Sequence, residues 1–366
     1  MLVGKYKNTS GGQAVDLKNL DHLYIIAEIG CNYNGNTEIG LKMIDEAKRC
    51  GAQAVKFQFF SDTNLCTNKY LDDLDSGKVK LENVDKWESK DLGLSTIREQ
   101  TKAFMASKNQ LKIFQEYSKR IGIDFGCTPA DEHGVEFLAS IKSDFIKLSS
   151  MDADNPRMIK AAIKTRLPII ISTGMSTLAE IDEIYNIFKK ANYDNFSLLH
   201  CVSIYPPRNE IVNLNFMNTL QQIYDCEIGY SDHTLGYSIS LAAIAKGAKI
   251  IEKHFTLDKN MEGWDHKVSA DPRDLEIICK EGQNIFECLG SNYKIVSQDE
   301  IEKREKFRRS ATTARDIKEG EIITEDDIVY KRPGTGITPT EAKWLIGRRA
   351  KHDITEDTTL IWDYFV

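Results

Sequence analysis

Two histidines stand where short apolar runs end: His233 in GYSDHTLGYS (229–238) and His254 in IIEKHFTLDK (250–259). Imidazoles at the exits of two strands that would be neighbours are suited to share a metal ion, although each alone also reads as a hydrogen-bonded core residue. Neither has a cysteine partner, which disfavours a closed structural zinc site. A six-coordinate divalent ion such as Mn2+, with Mg2+ and Co2+ as alternatives, fits better, its other places being held by water or a substrate oxygen. Such an ion is a Lewis acid for a carbonyl. His200 in LLHC reads as interior packing, and His22, His133 and His352 have no supporting neighbours.

Charged groups recur inside other apolar runs. In AVKFQFF (54–60), period-two alternation puts Lys56 and Gln58 on the side of Ala54, opposite Val55, Phe57 and Phe59. FIKLSS (145–150) repeats the pattern with Lys147. Two inward lysines from different strands suit a phosphate or carboxylate ligand, and equally suit structural ion pairs. Glu28, closing YIIAEIG (24–30), is placed to act as acid or base, to hold sugar hydroxyls, or simply to neutralise a lysine. Ser172 in STGMS (172–176) offers a hydroxyl beside backbone amides for phosphate oxygens, where Ser176 or Thr177 also reads as an ordinary helix cap. Asp265 in GWDHKVS (263–269) is expected over the same mouth, clasping hydroxyls or closing a turn.

The elements that must position these groups alternate. Eight β-rich runs, at 24–30, 54–60, 124–129, 145–150, 168–174, 196–202, 228–233 and 250–255, are separated by helix-like stretches that often end in Lys or Arg and Gly. Continuous apolar strands alternating with helices imply a parallel sheet, and a count of eight favours a closed (β/α)8 TIM barrel, whose reacting groups gather at the C-terminal strand ends. The charge-rich stretch 61–108 is too long for an ordinary loop and reads as an elaborated lid. Expected boundaries are a barrel over 1–290, a linker over 291–304, and a small β-rich domain over 305–366, too small to be securely stable alone.

Composition narrows the class. With 41% apolar and 28% charged residues, the chain has material for a large core and too little charge bias for disorder. A net charge of −7 argues against nucleic acid as a partner. The first residues lack a signal-like apolar segment and no run approaches the roughly 18 apolar residues of a membrane span, so a soluble, cytoplasmic protein is expected. The eight cysteines contain no CxxC and read as reduced, buried thiols.

Taken in order, IIAEIGCNYNG, AVKFQ, IKLSS, IISTGMS, LLHCVSIYP, GYSDHTLG, EKHFTLDK, GWDHKVS and KRPGTGI resemble the sialic acid synthase (nonulosonic acid synthase) family over nearly the whole chain, including a C-terminal antifreeze-like SAF domain. The resemblance implies condensation of phosphoenolpyruvate with the open-chain aldehyde of an N-acylated hexosamine such as N-acetylmannosamine, with legionaminic or pseudaminic acid synthesis from a 2,4-diacetamido sugar as the alternative. It implies that His233 and His254 bind the metal, and that Lys56, Thr128, Lys147, Ser150, Ser172, Ser203 and Ser231 bind phosphoenolpyruvate. Glu28, Gln58, Tyr205 and Asp265 fall where the family holds the sugar. Arg332 would reach the sugar's acyl group from the small domain of a partner subunit in a domain-swapped homodimer. Asp152 stands where known members carry a glutamate near the reacting centre, Ser203 where some have asparagine, Tyr33 where a histidine lies near the sugar, and Trp264 where proline is frequent.

Overall fold

The computed structural model describes residues 15–79, 94 and 96–366. They form two compact units, divided between Gly290 and Ser291. In the first, eight parallel strands close into a TIM-like barrel: β1 (Tyr24–Gly30), β2 (Ala54–Phe59), β3 (Asp124–Pro129), β4 (Phe145–Leu148), β5 (Ile169–Ser172), β6 (Phe196–Cys201), β7 (Glu227–Asp232) and β8 (Ile250–His254). β4 is shorter than expected because the chain turns at once: Ser149 donates to Asp152 Oδ2 at 2.9 Å as a 3-10 turn, Ser150–Asp152, begins. β5 is also shorter than the expected run 168–174.

Alternation along each strand sorts the residues into two environments. Ile25, Val55, Phe57, Phe125, Ile146, Ile171, Leu198 and Ile251 face outward into the large core under the helices. Tyr24, Ile26, Ala54, Phe145, Ile170, Leu199 and Ile250 form an apolar plug inside the barrel, joined by Val15, Leu17 and Leu20. One step further along the strands the interior turns polar. Glycines give the plug its shape: a Cβ on Gly126 would lie 2.0 Å from the Phe145 ring, so the ring occupies the space a side chain on β3 would need.

Helix ends follow ordinary chemistry. Thr37–Cys50 and Lys108–Ile121 end on left-handed Gly51 and Gly122, and Thr177 forms a capping box with Glu180 before Leu178–Lys190. Of the stretch read as a lid, residues 80–93 and 95 lie outside the described residues; the rest includes helices Asn68–Asp75 and Ile97–Phe104, tied by Arg98 to Asp72 and Asp75 at 2.8 Å each.

The second unit carries an antiparallel pair, β9 (Ser310–Thr313) and β10 (Ile328–Lys331), over its own core of Ala311, Ile317, Ile323, Ile337, Leu345, Leu360 and Phe365. Helix Gln298–Phe307 begins inside the segment read as a linker. None of the eight cysteines is in a disulfide, and no helix among the described residues is long and apolar enough to cross a membrane.

Gly126→Ala tests the plug. The added methyl overpacks against Phe145, and the expected loss is ~1–3 kcal/mol in urea unfolding, partly recovered by adding Phe145→Leu. An unchanged midpoint would show that the ring is free to move aside.

Candidate active site

The polar layer above the plug is built by the same alternation. β1, β2, β4, β7 and β8 turn Glu28, Lys56, Lys147, Ser231 and Glu252 inward, and all five are buried. Register sets Glu28 beside both Lys56 and His254, and Ser231 beside Glu252. Lys56 Nζ lies 2.9 Å from Glu28 Oε1 and donates to Thr128 Oγ1 at 2.8 Å. Gln58 donates to the same Glu28 oxygen at 3.0 Å. Lys147 donates to the Leu148 carbonyl at 2.8 Å.

Glu252 stands between the two ammonium groups, 4.0 Å from Lys56 and 3.9 Å from Lys147, and accepts from Ser231 at 3.0 Å. Burial works to raise its carboxyl, but Lys147, Lys56 and the Ser231 hydroxyl outweigh it and hold Glu252 below its ordinary value. Glu28 moves the other way: burial raises it, Lys56 opposes, and the Glu252 charge adds to the rise. For Lys56, burial is outweighed by Glu252 and Glu28 and the ammonium is favoured, whereas Lys147 is lowered by burial with only partial relief from Glu252.

Hydroxyls gather beside Lys147 where β4 and β5 end. The Gly174 amide donates to Ser150 Oγ at 3.0 Å, and a Cβ on Gly174 would sit 2.3 Å from Ser203 Oγ and 2.8 Å from Ser150 Oγ. Only glycine permits that approach. Ser172 Oγ is buried with no hydrogen-bond partner among the described residues. Clustered hydroxyls, one of them unpaired, and two ammonium groups are the donors an anion requires.

Beside this layer the rings of His233 and His254 lie with centroids 5.6 Å apart, and Tyr205 stacks on His233 at 3.9 Å. With metal–nitrogen bonds of about 2.1 Å, two imidazoles on one ion keep their centroids within about 6.5 Å, so this spacing fits a shared ion. His233 Nδ1 faces the Val202 carbonyl at 2.9 Å, with the Cys201 thiol, a partner the sequence alone did not suggest, 3.8 Å away. Burial works to lower its pKa, but Cys201, Val202 and Glu252 outweigh it and raise it, so a cation at Nε2 has to displace the second proton. His254 Nδ1 is buried without a hydrogen-bond partner, with Asp265 Oδ2 at 3.7 Å. Burial, then His233 and Lys56, push His254 well below its ordinary value, so it is a neutral ligand-type imidazole. Among the described residues no group of three or more His, Cys, Asp or Glu is arranged to hold a metal. The donor set therefore suits an open ion completed by water or substrate, not a closed structural one.

Asp265, pushed up to about 6 chiefly by burial, lies 3.6 Å from the Cys31 thiol that hydrogen-bonds it. Asp152 accepts from Ser149 and is raised by burial, with Lys147 opposing. Arg332 belongs to the second unit, where its guanidinium lies 5.0 Å from the Phe307 ring centroid and Nε donates to the Phe307 carbonyl at 3.1 Å. His200 is an interior residue, 2.7 Å from the Val212 carbonyl.

With this geometry in place, a family model described as the NeuB family matches residues 43–294, and the SAF domain model matches residues 308–366. The chain belongs to the NeuB family. It is 36% identical to an N,N'-diacetyllegionaminic acid synthase of Legionella pneumophila, over 93% of this chain and 94% of that one. Against the human N-acetylneuraminate-9-phosphate synthase it is 35% identical over 92% of this chain and 91% of the other. A crystal structure of N-acetylneuraminic acid (sialic acid) synthetase from Leptospira borgpetersenii, 33% identical, superposes with a TM-score of 0.65 over 80% of this chain and 95% of that one.

This NeuB-family site holds one residue that the reading of motifs passed over. Glu252 shares the inward face of β8 with Ile250 and His254, so the period-two rule that singled out Lys56 also points to it. Tyr33, expected near the sugar, is instead fully buried, edge-on to Phe57 at 5.8 Å and Phe114 at 5.5 Å, because its ring completes the core outside the barrel. Trp264 donates to Gln100 Oε1 at 2.9 Å and packs edge-on to Phe104 at 5.7 Å. It thereby ties helix Ile97–Phe104 to the loop that carries Asp265.

In metal-free protein, Glu252→Gln leaves both ammonium groups to Glu28, and breaking a buried charge group this way costs ~3–5 kcal/mol. Because Glu252 is held low in the folded state, its contribution is complete above the unfolded glutamate value of about 4.3 and is lost as pH falls through the lower folded value. Urea midpoints of wild type and variant should differ at neutral pH and converge in acid. Equal midpoints at neutral pH would remove Glu252 from the charge layer.

Proposed function

We propose that this chain condenses phosphoenolpyruvate with the open-chain aldehyde of an N-acylated mannosamine-type sugar, giving a nonulosonic (sialic) acid and inorganic phosphate. The observation that carries the reading is the meeting, in one barrel mouth, of a buried two-lysine layer and two imidazoles spaced for a common ion. Phosphoenolpyruvate brings a carboxylate and a phosphate to two ammonium groups and their flanking hydroxyls: Lys56, Thr128, Lys147, Ser150, Ser172, Ser203 and Ser231. Glu28, Gln58, Tyr205 and Asp265 hold the sugar so that its aldehyde carbon faces the enol methylene.

The bonds balance without a further reactant beyond water. The methylene carbon joins the aldehyde carbon, water adds to C2, and the bond from C2 to the phosphate oxygen breaks. One proton of the water ends on the new hydroxyl and the other leaves with phosphate. His233 and His254 hold a divalent ion, Mn2+ with Mg2+ or Co2+ as alternatives, which when bound supplies Lewis-acid polarisation of the aldehyde. Glu28, raised toward neutrality, is the carboxyl best suited to hold and release a proton. Asp152, one methylene shorter than the family's glutamate, reaches the reacting centre only across a water. A second reading, with a 2,4-diacetamido sugar as acceptor, is supported by the likeness to the Legionella enzyme.

In the same proposal the protein works in the cytoplasm as a homodimer, the SAF domain of one subunit covering the barrel of the other. Arg332 is exposed and stacked on Phe307, so its free guanidinium edge is available to an acyl carbonyl.

Candidate sugars supplied with phosphoenolpyruvate should release phosphate stoichiometrically with a nine-carbon 2-keto acid of matching mass. His233→Ala and His254→Ala should each reduce turnover by roughly a thousandfold while leaving the protein folded, the loss of several kcal/mol of carbonyl polarisation. Turnover of pyruvate without phosphate release, or full activity of either variant after chelation, contradicts the mechanism. Arg332→Ala should raise the KM for sugar about tenfold or more and leave that for phosphoenolpyruvate within twofold, the cost of one charged hydrogen bond. Unchanged sugar kinetics would exclude the swapped arrangement.

A further inference from the structure

Directly behind the two histidines, on the outer face of the barrel, lies a buried ion pair that the proposed chemistry does not use. Asp232 and Lys253 are register partners on β7 and β8. Each is the immediate chain neighbour of a histidine, so alternation sends the imidazoles inward and this pair outward. Both side chains are 0% exposed, with Lys253 Nζ 3.0 Å from Asp232 Oδ2.

Every acceptor position on the carboxylate is taken. Oδ1 receives the Thr234 amide and the Thr234 hydroxyl, both at 2.8 Å, and Oδ2 receives the Ser240 hydroxyl at 2.6 Å besides Lys253. Lys253 also donates to the Thr234 carbonyl. The segment 232–234 is thus wrapped around one carboxylate, with His233 at the middle of the wrap. Through its side chain Lys253, one residue before His254, is thereby tethered to the segment 232–234 that carries His233.

The outward positions around the pair are apolar: Ala27, the other register partner of Lys253, with Val55 beyond it, and Tyr230 and Ile251 one outward step earlier on the same two strands. A buried ion pair is poor value for stability, since well-packed apolar replacements are often neutral or better. Its effect is on geometry: a fully bonded charge pair between adjacent strand ends has one low-energy arrangement.

We infer that Asp232 and Lys253 are positioning residues that fix the separation and aim of His233 and His254, setting divalent-metal affinity. This rests on the two-histidine metal site proposed above. The pair acts through backbone it holds and touches no ligand itself, as outer partners of metal ligands do.

The experiment compares metal affinity with stability in the full-length protein. Asp232→Asn combined with Lys253→Met removes both charges, leaves neither unpaired, and keeps an amide that can still bond Thr234 and Ser240. Mn2+ binding is titrated by the electron paramagnetic resonance signal of the free ion, Co2+ binding by its visible absorption, and folding by urea unfolding of the metal-free protein. The expected result is a near-native unfolding midpoint with Mn2+ affinity reduced about 10–100-fold and an altered Co2+ spectrum. A folded double variant with native affinity and spectrum overturns the inference and makes the pair structural only.

Ser240→Ala removes a single bond to Asp232 and keeps the test decisive if the double variant does not fold. It is expected to lower Mn2+ affinity about threefold with a small change in midpoint, and native affinity in it counts against the inference. Wild type, His233→Ala and His254→Ala are titrated alongside. Wild-type binding that disappears in the histidine variants but persists in the double variant sinks only the positioning role. Absence of Mn2+ and Co2+ binding in wild type sinks the metal reading and this inference with it.

Discussion

Keeping two lysine side chains charged inside a closed barrel is the constraint on which the rest of this site depends. Removing an ammonium ion from water costs several kcal/mol, and each attraction to Glu252 across about 4 Å returns roughly 4 kcal/mol at an effective dielectric near 20. The two are of similar size, so neither lysine is tolerable without carboxylates held at its own depth. Glu252 supplies that charge to both lysines, and Glu28 adds a close contact to Lys56. The plug beneath, from Tyr24 and Phe145 to Leu17, fills the interior with apolar side chains, so the polar layer is reached from the C-terminal strand ends.

Much of this was legible in the residues themselves. Strand order, closure into a barrel and the inward aim of Lys56, Gln58 and Lys147 all follow from a period of two applied to apolar runs. The same rule, carried to IIEKHF, would have found Glu252. In that run the histidine at the strand exit is the stronger chemical signal, and a single glutamate between apolar residues and a lysine carries no motif of its own. What lay beyond reach were contacts between segments distant in sequence. No local pattern connects Trp264 to Gln100 or closes Gly174 against Ser150 and Ser203. Tyr33 shows the opposite failure, where a family position suggested ligand contact and tertiary packing against Phe57 and Phe114 claimed the ring instead.

The second unit obeys a different economy. Its core is a compact set of aliphatic residues around β9 and β10, yet helix Gln298–Phe307 has no buried residue at all. The Arg332 guanidinium is held near Phe307 by one backbone hydrogen bond and the ring face. Such a placement pre-orients the planar group while leaving its remaining donors unspent, which would lower the entropy lost in the acyl contact proposed for it.

Within the barrel, the two carboxyls divide the work because their surroundings divide their proton affinities. Glu252 faces both lysines and a donated hydroxyl, so it stays ionised and serves as a fixed charge. Glu28 meets one lysine but also the field of Glu252, and burial dominates, so its proton is the movable one. Two ammonium groups against one fixed carboxylate leave the layer short of negative charge. Under the proposed reaction, phosphoenolpyruvate, with its carboxylate and phosphate, would more than make up the deficit, and the added negative charge would further favour protonated Glu28. Its acid form can then donate a hydrogen bond to the sugar at the moment the aldehyde oxygen is polarised. In that reaction the anion would thus favour the acid form of the group that meets the sugar.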